Sequence, residues 1–496
     1  MQLSQLLPGY SDREDPEVIA LSLDSRQVQP GTLFFAIPGV EQDGRLYIEE
    51  AIRRGAAVVL FEADGYDNFP SIQRSDLVVC PVADLSKQVG SIVARFYSSP
   101  STHMTVIAVT GTNGKTSITH FLADAYHYLH VPCGIIGTLG NGWRGQLIAT
   151  DHTTPDPITL QASFADLRDN GIHTVAIEAS SHALAQHRLA GVAINTAVFS
   201  NLTQDHLDYH HTMAEYAAAK ARLFAWPNLL HAVVNLDDEY GQRLLSLCDS
   251  RITRVTYSLN GRQHVGLPFV CATDVQLTPA GYRLVVESSW GGAVLAGSLC
   301  GGFNASNILA VLAVLLVHGV SMADAVSACA SVQAVEGRMQ VMNFPGAPIV
   351  VVDYAHTPDA LTKVLSTLQS YCTGQLWCVF GCGGERDRKK RPMMARAAAV
   401  YADHIVVTSD NPRSECPQDI ISDIVAGFSS DVTVMVIEDR AEAIAHAIRS
   451  SQAGDIVLLA GKGHEKVQLI GQNVHPFSDW DCAQKVLLSH SSHRTY

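Results

Sequence analysis

The chain has 496 residues, 47% of them apolar and 17% charged, a globular composition that excludes disordered, collagen-like and fibrous classes. Thirty-four Lys and Arg against 48 Asp and Glu leave a formal charge of −14, so the surface as a whole repels nucleic acid and anionic membranes, and no nucleic-acid partner is expected. Any polyanionic substrate must then lie in a local basic cleft. The longest apolar run, Ile308–Val317, has ten residues against the roughly 20 needed to cross a bilayer, and Met1–Asp15 is acidic where a secretion signal would begin basic and turn apolar. A cytoplasmic address without membrane insertion is the expectation. The eleven cysteines are scattered and contain no C-x-x-C pair, which predicts free thiols; the 21 histidines include no H-E-x-x-H.

At roughly 150 residues per domain, three domains are expected. From Met1 to Ser99 the pattern predicts short strands, Thr32–Ile37 and Ala57–Phe61 among them, ending in a linker at Ser98-Ser99-Pro100-Ser101. A second unit, 100–335, starts with the apolar run Val106–Val109, a glycine-rich Gly111–Gly114 and a helix over Ser117–Leu129. Strands at Thr174–Ala179, Thr196–Ser200 and Ala232–Asn235 alternate with helices at Ile158–Arg168 and Ala214–Phe224, the signature of a parallel sheet covered by helices. Between Arg251 and Ser298 short, alternating, Gly-punctuated segments predict an antiparallel side sheet. The third unit, 336–496, resumes the alternation. Its strands are expected at Ile349–Asp353, Leu376–Phe380, His404–Thr408, Val432–Val436 and Asp455–Ala460, its helices at Pro358–Gln369, Pro392–Tyr401, Asp419–Phe428 and Ala441–Arg449. The fold class is α/β throughout: a small N-terminal α/β domain, a central parallel-sheet phosphate-loop domain with a side antiparallel sheet, and a Rossmann-like C-terminal domain.

Chemistry concentrates where strands end. Thr110-Gly111-Thr112-Asn113-Gly114-Lys115-Thr116-Ser117 sits where a strand feeds a helix: glycines let backbone N–H groups close round phosphate oxygens, Lys115 reaches the terminal phosphates and the Thr116 hydroxyl can ligate Mg²⁺. The bland alternative is a Gly-rich turn with an incidental lysine, and Val109 stands where the common phosphate loop has a glycine. Glu178 follows the strand Thr174–Ile177, and Asn201-Leu202-Thr203-Gln204-Asp205-His206 follows Thr196–Ser200, both at the carboxyl ends where open α/β sheets place ligands. Glu178 and His206 are reasonable Mg²⁺ partners; taken singly, each reads equally well as a satisfied buried carboxylate and a satisfied loop histidine. Lys220, on a helix by propensity, reads from spacing alone as a solvated lysine.

The shortened Thr-Gly-Thr-Asn-Gly-Lys-Thr-Ser loop resembles that of the Mur ligases and their relatives the folylpolyglutamate synthetases, which join carboxylates to amines at the expense of ATP. Glu178-Ala179-Ser180-Ser181-His182, the Tyr216-x-x-x-Lys220 spacing, Phe303-Asn304-Ala305-Ser306-Asn307, Glu336-Gly337-Arg338-Met339 and Asp353-Tyr354-Ala355-His356-Thr357-Pro358-Asp359 match in family order. So do Asp24-Ser25-Arg26, Asp410-Asn411-Pro412-Arg413 and Gly461-Lys462-Gly463-His464-Glu465, which makes the resemblance run end to end.

The resemblance implies a set of roles. ATP would be held by Gly111, Thr112, Asn113, Gly114, Lys115, Thr116 and Ser117, with Asn304 at the adenine and Arg338 and Asp353 closing from the third domain. Lys220 would be an N6-carboxylysine formed with CO₂, holding a second Mg²⁺; Lys115, Lys220, His206 and Glu178 would form the catalytic set, and Thr116, Glu178, His206 and the Lys220 carbamate the metal ligands. Ser25, Thr153, Thr154, Ser180, Gln186 and Arg188 would hold a UDP-N-acetylmuramoyl-dipeptide, with His152 standing where some relatives have asparagine. In the family, Asp-Asn-Pro-Arg accompanies meso-diaminopimelate as the incoming amine, so Arg386, Asp410, Asn411, Pro412, Arg413, Gly461 and Glu465 would grip that amino acid. The implied reaction is amide formation through an acyl phosphate in cytoplasmic peptidoglycan synthesis, by a monomer whose partners are small molecules. A folylpolyglutamate synthetase would share the loop and the modified lysine but give no reason for the first domain or for Asp410–Arg413. A non-catalytic nucleotide switch would show no turnover dependent on both co-substrates.

Overall fold

A computed structural model of the chain describes residues 1–10, 14–39, 42–65, 77–150, 152–278 and 281–492. Near the N-terminus four parallel strands, Ala20–Ser22, Thr32–Ala36, Ala56–Glu62 and Val78–Val82, lie side by side in chain order. Thr32–Ala36 is buried along its whole length because both faces are covered, which is why it reads as a continuous apolar run. Leu33 and Phe35 face the helix Leu85–Phe96, whose Leu85, Val89, Ile92 and Val93 form one helical stripe; Phe34 and Ala36 face Ile48 and Ala51 on the other side. The expected linker at 98–101 is a built corner. Pro100–His103 is one 3₁₀ turn, and the buried Ser101 hydroxyl accepts from the Ala193 N–H at 3.0 Å.

The central sheet has eleven strands. Thr105–Thr110 lies between Thr196–Phe199 and Thr174–Glu178, all parallel, with Cys133–Gly137 beyond the latter and His231–Asn235 and Thr253–Ser258 beyond the former. The chain leaves Thr105–Thr110 for one side of the sheet and later returns to the other, so the loops after Thr105–Thr110, Thr174–Glu178 and Thr196–Phe199 converge at one switch point. Alternate side chains divide between two cores. Ile107, Val109, Ala176 and Val198 pack against the helices Lys115–Tyr128 and Gly302–Val317, whereas Val106, Ala108, Ile177 and Phe199 lie on the opposite face with Leu160 and Phe164 of the helix Pro157–Asp169. Of the stretch 251–298 expected to form an antiparallel side sheet, Thr253–Ser258 instead runs parallel to His231–Asn235 and to the start of Phe269–Thr278; only Phe269–Thr278, Gly281–Ser288 and Gly291–Gly297 pair antiparallel, and they extend the edge of this same sheet.

The last sheet orders Gln340–Met342, Ile349–Asp353, Ile456–Ala460, Leu376–Phe380, His404–Val407 and Val434–Val436, parallel except for the first. Asp455, expected inside a strand, instead closes a turn, its carboxylate accepting from the Gln375 and Gln452 N–H groups. Several elements were not anticipated, among them the strand Cys133–Gly137 and the helices Glu239–Leu247, Met322–Ala330 and Asp479–Ser492, and two more stand out. Gly302–Val317 is a helix buried on all sides from Asn307 to Leu316, so its apolar run carries no face-to-face contrast; Val467–Ile470 and Asn473–Pro476 form a short hairpin. Among the described residues no helix is long and apolar enough to cross a membrane, and all eleven cysteines are free, most of them buried.

Candidate active site

A cleft of about 430 Å³ opens at the switch point of the central sheet and is closed on its far side by the third sheet. Its floor is the phosphate loop. Gly114, with φ +89°, caps the helix Lys115–Tyr128, and a Cβ there would stand 2.7 Å from Asn307 Oδ1, so the loop needs glycine at this point. The helix starts two residues before the expected Ser117, which puts Lys115 and Thr116 in its first turn. The loop is braced from the next strand end: Thr112 N donates to Asn201 O at 2.8 Å and Asn113 N to Asn201 Oδ1 at 3.0 Å. Lys115 Nζ donates to the carbonyls of Gly111 and Thr112 at 2.9 and 3.0 Å, and loss of water around the ammonium lowers its pKa, opposed by Glu178.

Glu178 is fully buried at the end of its strand. Its Oε2 accepts from the Thr116 hydroxyl at 2.9 Å and its Oε1 from the Thr138 N–H at 2.8 Å. A hydroxyl and a carboxylate side by side are hard oxygen donors of the kind Mg²⁺ takes while keeping most of its waters, so the pair fits that ion. His206 and Lys220 are not joined to this pair. Among the described residues no three His, Cys, Asp or Glu side chains group into a metal cage.

The solvated-helix expectation for Lys220 is overturned by the structure. The side chain is 1% exposed; its Nζ donates to Gly111 O at 2.7 Å and stands 4.4 Å from the Tyr216 ring centre. Burial and the nearby Lys115 charge pull its pKa well below that of an ordinary lysine. Helical propensity alone could not place it there, because the burial comes from packing of Met213–Ala221 under the phosphate loop. His206 lies 3.4 Å from Asp205 and edge-on to His182 at 4.7 Å between ring centres. Burial pushes both imidazoles down to about 4.

Arg338 spans the junction between the second and third sheets: Nη2 reaches Thr116 Oγ1 at 3.4 Å while the guanidinium lies 4.2 Å from the centre of the Tyr354 ring. Asp353 accepts from the Met339 and Ala355 N–H groups, each at 2.8 Å, and burial raises its pKa against the opposing pull of Arg338. Asn304 sits behind the cleft wall, its Nδ2 donating to Cys300 O; the wall itself is made by Phe303, Ser306 and Asn307.

Five of the six residues expected at the muramoyl-dipeptide form one network. Thr138 Oγ1 donates to Thr153 Oγ1, Thr154 Oγ1 donates to Glu178 O at 2.6 Å and lies 3.2 Å from Ser180 Oγ, and Arg188 bonds Thr154 O and Gln186 Oε1 at 2.9 Å each. Ser25 lies apart, bonded to Glu50 in the N-terminal sheet, and His152 is exposed.

The expected amino-acid residues gather at the carboxyl ends of three adjacent strands of the third sheet. Gly461, with φ +112°, turns so close to Asp410 that a Cβ would meet Asp410 Oδ2 at 2.8 Å. Asn411 Nδ2 donates to Glu465 Oε2 at 2.7 Å, and Arg413, at φ +52°, donates from Nη1 to Gly384 O at 2.8 Å. Arg386 is exposed at the rim. Beneath them the fully buried Arg440 and Asp479 pair through two 2.7 Å bonds.

Profiles of three successive domains match the chain: the Mur ligase family catalytic domain at residues 17–97, the Mur ligase middle domain at 109–315, and the Mur ligase glutamate ligase domain at 337–463. The chain is 47% identical over 487 residues to the UDP-N-acetylmuramoyl-L-alanyl-D-glutamate–2,6-diaminopimelate ligase of Coxiella burnetii, covering 98% of this chain and 99% of that protein. The chain belongs to the Mur ligase family. The ligase of the same name from Ectopseudomonas mendocina is 47% identical over 484 residues, 97% of this chain and 96% of its own. A solved structure of a diaminopimelate ligase so named covers both chains completely at 37% identity and a TM-score of 0.71.

Within this Mur ligase, residues that motif reading passed over also shape the site. Asp359 Oδ2 accepts from Asn113 Nδ2 at 3.3 Å, Thr203 Oγ1 at 3.1 Å and Lys363 Nζ at 2.9 Å, bridging the phosphate loop to the helix Pro358–Gln369. Lys462 is buried among Asp410, Asn411 and Glu465. Each stands inside a quoted motif, but only the folded distances assign it partners.

Proposed function

We propose that this Mur ligase joins meso-2,6-diaminopimelate to the D-glutamate side-chain carboxylate of UDP-N-acetylmuramoyl-L-alanyl-D-glutamate with hydrolysis of ATP, a cytoplasmic step of peptidoglycan synthesis. The observation that carries the reading is the pairing of a phosphate loop with a pocket of both charge signs at Asp410–Arg413 and Glu465, in a chain so similar to ligases of that name. The proposed division of labour is UDP-substrate on 1–99, ATP on 100–335 and the amino acid on 336–496, in a monomer.

A carboxylate does not condense with an amine in neutral water because hydroxide is a poor leaving group. Transfer of the γ-phosphoryl group solves this: the carboxylate oxygen bonds to phosphorus as the bond to the bridging oxygen of ADP breaks. The diaminopimelate amine then attacks the acyl carbon, gives up a proton, and phosphate leaves with the bonding pair. Positioning and electrostatic stabilisation supply most of the rate in such transfers. Lys115, held by two loop carbonyls, is placed to exchange them for phosphate oxygens. Arg338 brings a second positive charge across the cleft to the same point. Thr153, Thr154, Ser180, Gln186 and Arg188, tied to Glu178, would fix the acceptor carboxylate beside it.

Thr116 and Glu178, with His206 and a CO₂ adduct of Lys220, are the residues that would hold two Mg²⁺ ions, which when bound neutralise phosphate charge. The buried Lys220 amine beside Gly111 O is the feature that supports the carbamate.

The test is phosphate release measured with ATP and the UDP-dipeptide in the presence of meso-diaminopimelate, L-lysine or L-ornithine in turn. Release only when nucleotide, UDP-dipeptide and diaminopimelate are all present is expected. Equal use of L-lysine overturns the choice of amine, and polyglutamate growth on a folate overturns the choice of acceptor.

A further inference from the structure

Lys462 follows the strand Ile456–Ala460 and is completely buried. Its Nζ donates to Glu465 Oε2 at 2.9 Å and to Asn411 Oδ1 at 3.0 Å, and stands 3.7 Å from Asp410 Oδ1. Asn411 is fixed from the other side, its Oδ1 also accepting from the Leu469 N–H at 3.0 Å and its Nδ2 donating to the same Glu465 Oε2. Glu465 thus receives both bonds on one oxygen and keeps Oε1 for an incoming donor. A buried ammonium is costly unless paired, and pairing to two carboxylates of the pocket answers that cost.

Among the residues expected to grip the amino acid, taken together with Lys462, three are positive (Lys462, Arg413 and Arg386) and two negative (Asp410 and Glu465), and Arg338 on the nearby Tyr354 ring adds a further cation, so positive charge is in excess. Below them Arg440 and Asp479 cancel, and at the rim Lys466 pairs with Glu336 at 3.1 Å. Meso-diaminopimelate and L-lysine share the same carbon chain up to the distal carbon and its ammonium; they differ there by one carboxylate. The distal end of the first is a neutral zwitterion and that of the second a bare cation.

We propose that Lys462 is a specificity-determining residue. Its charge cancels carboxylates that would otherwise hold an ammonium alone, so that the pocket accepts a distal zwitterion and rejects L-lysine. This rests on the diaminopimelate reading above. Discrimination of this kind works by leaving the wrong ligand facing an uncompensated like charge.

The experiment compares kcat/KM for meso-diaminopimelate, L-2-aminopimelate, which keeps the distal carboxylate without the ammonium, and L-lysine, in the wild type and in Lys462→Met and Lys462→Gln. In the wild type the expected order is diaminopimelate, then 2-aminopimelate, then L-lysine. In both variants the ratio of diaminopimelate to L-lysine should narrow by about 10-fold or more, with the KM for ATP within a few-fold of wild type. A variant that loses activity equally toward all three amino acids, its ratio unchanged, overturns the proposal, because a merely structural lysine would behave that way. If neither variant folds, the wild-type order decides, and L-lysine ahead of 2-aminopimelate overturns it. Wild-type enzyme that turns over none of the three defeats the parent reading and this inference together, a result distinct from efficient turnover with an unmoved ratio.

Discussion

Lys115 is half-buried and anchored by two main-chain carbonyls of its own loop, so removing its side chain should disturb the site and spare the fold. Lys115→Ala is expected to lower product formation by ~100-fold or more, the scale of losing one preorganised charge-stabilising donor, while the thermal melt stays within a few degrees of wild type. Unchanged turnover would sink the phosphate-loop assignment. Lys220 differs because it is buried beneath the loop, on Gly111 O. Lys220→Ala should be nearly inactive and partly rescued by short carboxylates that occupy the space of the carbamate. Intact-mass measurement of active enzyme under CO₂ should show the increment of one CO₂; a fully active, unmodified lysine would leave only a paired structural lysine. The contrast between these two shows where sequence reading ends: Lys115 is fixed by a local strand–loop–helix pattern, whereas the environment of Lys220 depends on residues about a hundred positions away.

At the scale of elements, the parallel strands that read as short apolar runs bounded by turn residues lie where expected to within two residues, whereas the buried strand Cys133–Gly137, parallel to Thr174–Glu178 and carrying two glycines, was not legible. Nor was the helix Gly302–Val317, since a segment surrounded by protein has no polar face to give it a period. The hairpin Val467–Pro476 was missed for the opposite reason: it is largely exposed, so its pattern follows no core. Just past the end of the long helix, His318 bonds Tyr126 Oη at 2.6 Å through Nδ1 and Thr196 Oγ1 at 2.8 Å through Nε2, tying that helix to the phosphate-loop helix and to the sheet. Burial pushes its imidazole down to about 4, reinforced by His231. A depressed histidine is bound by fewer protons folded than unfolded, so its share of stability is complete above about 6.5 and is lost as pH falls toward 4. Thermal melts between pH 7 and 4 should therefore show a steeper loss of Tm for the wild type than for His318→Gln, which keeps hydrogen-bonding capacity without the titration. Identical slopes would mean that His318 is not held neutral.

On the scale of the whole molecule, motif order revealed which loops take part but not how the third sheet is held over the phosphate loop. Arg338 was expected to close over the nucleotide, and it does reach Thr116, but the carboxylate of Asp359 makes the more extensive bridge, taking donors from Asn113 on the phosphate loop, Thr203 on the neighbouring strand end and Lys363 on its own helix. Two of these three bonds cross between the domains. At about 0.5–1.5 kcal/mol each, rising where a charged acceptor is involved, their loss should shift the balance between closed and open arrangements by roughly 10-fold or more. Asp359→Ala should accordingly raise the KM for ATP and enlarge the radius of gyration of the unliganded protein in solution scattering, while leaving the KM for the amino acid within a few-fold, because the pocket at Asp410–Glu465 lies wholly on the third sheet. Adding a non-hydrolysable ATP analogue with the UDP-dipeptide should restore compactness in the variant, since those ligands fill the cleft from both sides. A variant with unaltered scattering and unaltered ATP dependence would show that the bridge is incidental, and that Arg338 with its Tyr354 stack holds the two domains without it.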